Sequence, residues 1–439
     1  MNANSRIQKL TVRRQTRIRQ SAILFLPLLF VFCQEKRPGK PIGSTYLELA
    51  KPEVWRVPAN SPAQIIGLKP GDLIISYNDE VVQSFKSLQQ IERRIKNQTG
   101  KVKLTILRDE QELIVEIDPV PLGFIPKSKR FSASLAKAIE DIMQHFGLPA
   151  YYDWLAAMTT ESFGLTLRAG DCSSWGTGGR AYAYLPNLSR WTGLSFKLLW
   201  SNGESLDQSK LTPIYAVRQG LHQANRDGGS VLLIYGKWNG KRAQWGIPVR
   251  LVTKEESLPR VYGWTVESDG GEPVECEEIF AVYEVRFRGG VNSEPARLVS
   301  GVLDQALEIG LATADTGWHS GLEAYDLLLK ELERFPICPD GPGAGDEYFY
   351  QLVYNLISSK ESANQFFEDM KQALPEQAGL LDEVMGRNRV IIARLEGIVA
   401  RRLSLNSWEN QQKVARVLVE IEEIENELLG FYEELIGEL

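Results

Sequence analysis

Hydrophobic spacing changes character several times along the chain. Ser21–Phe32 is an apolar run interrupted only by its serine and Pro27, and polar residues resume directly after Cys33. From about residue 45 to 120, strand-like and turn-like pieces alternate. "SPA" predicts a short helix with Ser61 as N-cap and Pro62 at its first position, closed by Gly67. "KPGD" predicts a tight turn and "LIISYN" a strand. "SFKSLQQIERRIKN" predicts a helix capped by Ser84, with Phe85, Leu88, Ile91 and Ile95 on one face. "KVKLTILRD" and "ELIVEIDP" predict two strands around a turn at Asp109-Glu110.

Beyond a linker rich in Pro and Lys, "LAKAIEDIMQHFG" predicts a helix ending at Gly147. Mixed patterns then run to about residue 335. "SVLLIYGKWNG", "AQWGIPVRLVTK" and "EEIFAVYEVRF" predict buried strands, and "SEPARLVSGVLDQALEIGL" a helix started by Ser293. "GPGAGDEY" is a break, and nearly everything after it has helical spacing. Two segments, "DEYFYQLVYNLISS" and "SANQFFEDMKQAL", open this tail. In its last segment Val414, Val417, Leu418, Ile421, Ile424, Leu428, Phe431 and Leu435 form one stripe. Glu420, Glu422, Glu423, Glu425 and Glu427 predict a solvated face.

Composition adds bounds. A chain of 439 residues with 43% hydrophobic residues has material for two or three packed domains. A net charge of −6, with no basic run after the first twenty residues, argues against nucleic acid as a partner. The four cysteines (Cys33, Cys172, Cys276 and Cys338) have no zinc-ligand spacing, and the three histidines stand far apart, so no metal is expected. "GTGGRA" fails the dinucleotide spacing, so no cofactor is expected.

The first twenty residues carry Arg6, Lys9, Arg13, Arg14, Arg17 and Arg19 and no acid. With the apolar run they form a secretory signal, too short at about a dozen residues for a span that needs roughly 20. A cysteine at the end of such a run resembles the bacterial lipoprotein signal, although Phe32 stands where a small residue is usual. That resemblance implies lipidation at Cys33, export, and tethering to the lipid bilayer of a bacterial cell envelope.

Ser61-Pro62-Ala63, Gly67-Leu68, Pro70-Gly71-Asp72, Ile74 and Asn78 together resemble a bacterial-type PDZ domain. The resemblance implies a small β-sandwich or barrel with two helices. It also implies that extended or C-terminal peptide segments of other proteins add as a strand beside the longer helix. A loop whose amides receive the peptide carboxylate has two candidates. "STYLEL" precedes the domain, as such loops do in bacterial members. "PLGF", Pro121–Phe124, looks more like the motif but follows the last strand. The first is favoured, which makes Tyr46, Leu47, Glu48 and Leu49 peptide-binding residues, together with Leu88 on the helix.

A second resemblance rests on "RAGDCSSWGTGG" with Cys172 read as opening a helix, "TGLSFKLLW", "IYAVRQGLHQANRDGGSVLLIYG", "QWGIPV" and "GWHSGLEAYDLLLKEL". These pieces resemble papain-like cysteine peptidases, in the lineage of double-glycine leader peptidases and butirosin-biosynthesis acyl-transfer proteins. The family implies a cysteine at a helix N-terminus, paired with a histidine from a facing strand. Here that strand offers Gln244 and Trp245, and Asp171 opposes thiolate formation. His319 is the remaining catalytic candidate and His222 an alternative base.

The expected fold is therefore α+β and multidomain: signal 1–33, linker 34–44, PDZ domain 45–120, linker 121–133, papain-like α+β domain 134–340 and helical C-terminal subdomain 341–439. The expected function is a membrane-tethered, exported protein that binds peptides or proteins, its papain-like module lacking a complete dyad. The alternative is a cysteine-dependent peptidase, amidase or acyltransferase using Cys172.

Overall fold

The computed structural model describes residues 39–42, 46, 52–177, 185–202, 212–239, 243–253, 258–266, 268, 272–289, 294–312, 317–334, 344–401, 403 and 405–439. The leader with Cys33, the residues Leu47, Glu48 and Leu49, and Cys338 lie outside them.

The first module contains β1 (Val54–Arg56), α1 (Pro62–Ile65), β2 (Leu73–Tyr77), β3 (Glu80–Val81), α2 (Phe85–Ile95), β4 (Val102–Arg108), β5 (Gln111–Ile117) and β6 (Ile125–Pro126). The local signals act as expected. The Ser61 hydroxyl accepts the Gln64 amide at 3.1 Å, and Ser84 and Ser87 cap each other's backbone at the start of α2. Asn78-Asp79 and Asp109-Glu110 all have positive φ, the two-residue hairpin geometry that suits twisted strands. They join β2 to β3 and β4 to β5 in an antiparallel sheet of order β3-β2-β4-β5. Arg108 grips the buried Asp72 with two 2.6 Å bonds and so ties β4 to the "KPGD" turn.

The chain does not leave this module at residue 120. Leu122 and Phe124 are buried in the same core as Ile74, Tyr77, Leu88 and Leu104, and β6 returns to pair antiparallel with β1. The stretch 121–126, read from the sequence as linker, completes the module instead.

The second module opens with α3 (Ser134–His145), α4 (Tyr152–Met158), β7 (Leu165–Arg168) and β8 (Asp171–Thr177). It continues with α5 (Leu185–Thr192), β9 (Leu194–Ser201), α6 (Pro213–Asp227), β10 (Val231–Trp238), β11 (Ala243–Val252), β12 (Arg260–Trp264) and β13 (Val274–Phe287). It ends with α7 (Pro295–Gly310), β14 (Trp318–Ser320) and α8 (Gly321–Leu332). Strands β10, β11, β12 and β13 pair in sequence, and β13 pairs back onto β10, so the antiparallel sheet closes on itself, with β9 added beside β13. Closure this tight leaves no room for side chains at two crossings. A Cβ on Gly236 would meet Glu278 O at 2.4 Å, and one on Gly263 would meet Ile247 O at 2.4 Å. A smaller sheet has the order β14-β7-β8. Cys172 stands in β8, so the helix expected to start there is a strand.

The tail is α9 (Ala344–Ala373), α10 (Ala378–Arg401) and α11 (Trp408–Glu438). The two segments expected at its start are one helix. The polar residues at their junction do not end it, because Ser359 and Lys360 are buried with partners and the half-buried Glu361 pairs with Arg56. The Ser359 hydroxyl donates to Glu161 O at 2.8 Å, and Lys360 Nζ pairs with Glu425 at 2.7 Å. Glu425 is thus turned inward, unlike its expected solvated neighbours. The apolar stripe of α11 is buried at Val414, Leu418, Ile421, Leu428 and Leu435. One hydrophobic core runs through the tail and the second module. The first module docks on it through Arg56, which pairs with Glu361 and Glu396. Among the described residues no helix is long and apolar enough to cross a membrane.

Candidate functional site

Three places hold the residues with chemistry, and the first is the Pro121–Phe124 loop. Gly123 takes φ +73°, a left-handed turn that only glycine adopts without strain. The turn sends the Leu122 carbonyl to the Ala63 amide at 2.7 Å and the Leu122 amide to the Glu92 carboxylate at 2.8 Å. The Phe124 ring meets Phe85 of α2 edge-on at 5.7 Å. Ile125 then lies opposite Arg56, and Pro126 opposite Val54. A glycine loop, a strand beside β1 and the long helix α2 therefore converge. Glu92 holds one loop amide from inside, itself 3% exposed.

The favoured peptide-binding residues are distributed otherwise. Tyr46 is 1% exposed. Its ring stacks on Trp264 of β12 at 6.1 Å, and Lys137 Nζ lies 5.6 Å from the ring centre. Tyr46 thus packs against residues of the second module, and Leu47, Glu48 and Leu49 lie outside the described residues. Leu88 has no exposed surface; it forms the core floor, out of a peptide's reach in this conformation. Glu92 was missed. Its signal was positional: it follows Leu88 by four residues and precedes Ile95 by three, which puts a carboxylate on the apolar face of α2.

The second place surrounds Cys172. Its side chain is 3% exposed and its sulfur is in a disulfide. Cys276 is a free thiol, so the partner cysteine lies outside the described residues. A disulfide sulfur is no nucleophile, and a strand supplies no helix dipole to lower a thiol pKa. His319 lies opposite Leu167 on β14, with β7 between it and β8. Strands spaced about 4.8 Å apart keep the two backbones roughly 10 Å apart. The His319 Nδ1 contact runs instead to Glu323 at 3.3 Å. His222 is exposed on α6. Burial pushes the Cys276 thiol up to about 12, which makes it inert.

The strand "AQWGIPV" does face a helix start, but that of α3. The Trp245 amide donates to Ser134 Oγ at 3.2 Å, and the Gln244 amide oxygen accepts from Thr265 at 2.7 Å. The N-cap of α3 is Ala133, which has no capping oxygen. Glu161 fills that role from a distance, accepting Leu135 N at 3.3 Å and Ala136 N at 2.9 Å. Burial raises the Glu161 pKa to about 7, against the lowering effect of those hydrogen bonds.

The third place is a cleft of about 410 Å³ between α5 and α7.

One comparison with known families bears on these places. Residues 53–108 match the PDZ domain family. The matched segment ends before the Pro121–Phe124 loop, which the fold places against it.

Proposed function

We propose that this chain is an exported, lipid-tethered protein that binds extended segments of other proteins through its PDZ domain. The observation that carries the reading is the convergence of the Gly123 loop, β6 and α2 on one edge of that domain. The Leu122 amide already holds a carboxylate there, that of Glu92. A peptide terminus seeks the same kind of partner. Because Glu92 occupies that amide, and because β6 is two residues long and ends in a proline without an N–H, binding is weak at rest and strengthens when Glu92 is displaced.

The basic leader, the apolar run and Cys33 support the tether. A half-cystine at Cys172 supports an oxidising compartment. The second module serves as the body on which the PDZ domain is mounted. A disulfide at Cys172 weighs against the hydrolase alternative, which needs that sulfur as a free nucleophile.

Fluorescence anisotropy tests the peptide reading, with a library of labelled peptides bearing free or amidated C-termini added to the full chain. Saturable binding that depends on the free terminus is expected. A library with no binder to wild type or to Glu92→Ala would refute it. Detergent partitioning of wild type and Cys33→Ala tests the tether, and identical partitioning counts against it.

A further inference from the structure

Helices α5 and α7 face each other across the cleft described above. On α7, Arg297, Asp304 and Glu308 share one side at helical spacing, with Gly301 between them. A Cβ on Gly301 would lie 3.0 Å from the Trp191 ring, so glycine there lets α5 approach and Trp191 form the floor. Arg190 stands on the α5 wall.

Two observations make this more than a gap between helices. The cleft carries both signs of charge, two arginines and two carboxylates, and Arg190, Asp304 and Glu308 have no ion-pair partner among the described residues. Gln305, 4% exposed, lies in the wall with both ends of its side-chain amide unpartnered. A buried amide missing both its donor and acceptor partners is costly, and native proteins keep few of them. Its last torsion is soft and roughly two-fold, so either end turns toward the cleft at little cost.

We propose that this cleft binds a short peptide of two or three residues with both termini free. The cationic arginines take the carboxylate, Asp304 and Glu308 take the ammonium, and Gln305 pairs with a peptide group between them. The lengths agree. Seven residues of helix separate Arg297 from Asp304, about 10 Å, and three extended residues span about 10 Å. The site is separate from the PDZ loop and does not depend on the reading given for it.

Isothermal titration of the full chain with Ala-Ala-Ala tests the proposal. Saturable heat is expected, and acetylating the amine or amidating the carboxylate should each weaken binding about tenfold. Asp304→Asn with Glu308→Gln should weaken the free peptide but leave the acetylated one unchanged. Arg190→Gln should do the same for the free and amidated pair. Gln305→Leu should lose about fivefold in affinity with no fall in melting temperature, because leucine leaves no polar atom unpaired. Absence of saturable heat up to about 10 mM peptide overturns the proposal. Equal binding of free and doubly blocked peptides also overturns it. So does wild-type affinity in the cleft variants, which would locate the binding elsewhere, the PDZ loop included.

Discussion

Glu92 and Leu122, 30 positions apart, meet in a 2.8 Å hydrogen bond from the Leu122 amide to the Glu92 carboxylate, inside the PDZ core. One carboxylate thereby performs two tasks. It satisfies a buried amide that has no strand partner, and under the proposed peptide-binding function it holds the amide that a ligand's carboxylate would take.

The two tasks separate by substitution. Glu92→Ala leaves the Leu122 amide buried and unpaired, which costs about 1–3 kcal/mol. Glu92→Gln keeps an acceptor and should cost less. Urea unfolding measures the loss. In the same variants affinity for peptides with a free C-terminus should rise, most in Glu92→Ala. A fall in that affinity with folding intact would mean that Glu92 recruits the ligand rather than blocking it.

Glu161 makes stability depend on pH. Its folded pKa is raised from 4.5 to about 7, so the folded state binds this proton more tightly than the unfolded chain. Stability from this group is greatest below the unfolded value and falls as pH rises from about 4.5 to 7, by roughly 3 kcal/mol in all. Glu161→Gln cannot ionise and should show a flatter profile across that window. Denaturation midpoints at pH 5 and pH 7.5 for both proteins check this, and parallel profiles would contradict it.

Lys360 is 2% exposed and pairs with Glu425, whose other oxygen accepts from Tyr325 Oη at 3.1 Å. Lys360→Met leaves that carboxylate buried without its cation and should cost about 3–5 kcal/mol. Adding Glu425→Leu should recover much of the loss, although Tyr325 then loses its acceptor. Guanidinium unfolding of the two variants is the measurement.

The thiols give a chemical check. Without reductant, an alkylating probe should miss Cys172 and should react with Cys276 only after unfolding, because burial holds that thiol near 12. A non-reducing peptide map should find Cys172 in a cross-linked peptide. Labelling of Cys172 in the native, unreduced chain would restore the nucleophile reading.

The local signals of the first module were legible because each is complete within a few residues. Ser61-Pro62, Gly67, Ser84 and the two hairpin turns act through neighbours in sequence. The α11 stripe was legible for the same reason: helical period alone decides which face is buried. Cys172 was misread because a short polar stretch followed by glycines fits a helix start and a strand end equally well. Pairing with β7 settled it as a strand.

What the sequence determined by itself, then, is the local grammar: caps, turns, helical faces, and a PDZ pattern covering one compact stretch. Only the tertiary structure decided which loop stands beside α2, because Phe124 and β6 had to return across the module to reach Phe85 and β1. Only it decided that Glu92, Glu161 and Glu425 are structural carboxylates rather than surface charges. A carboxylate can be buried only where amides, a hydroxyl or a lysine meet it, and for these three the Ala136 and Leu122 amides, Lys360 and the Tyr325 hydroxyl stand 25, 30, 65 and 100 positions away.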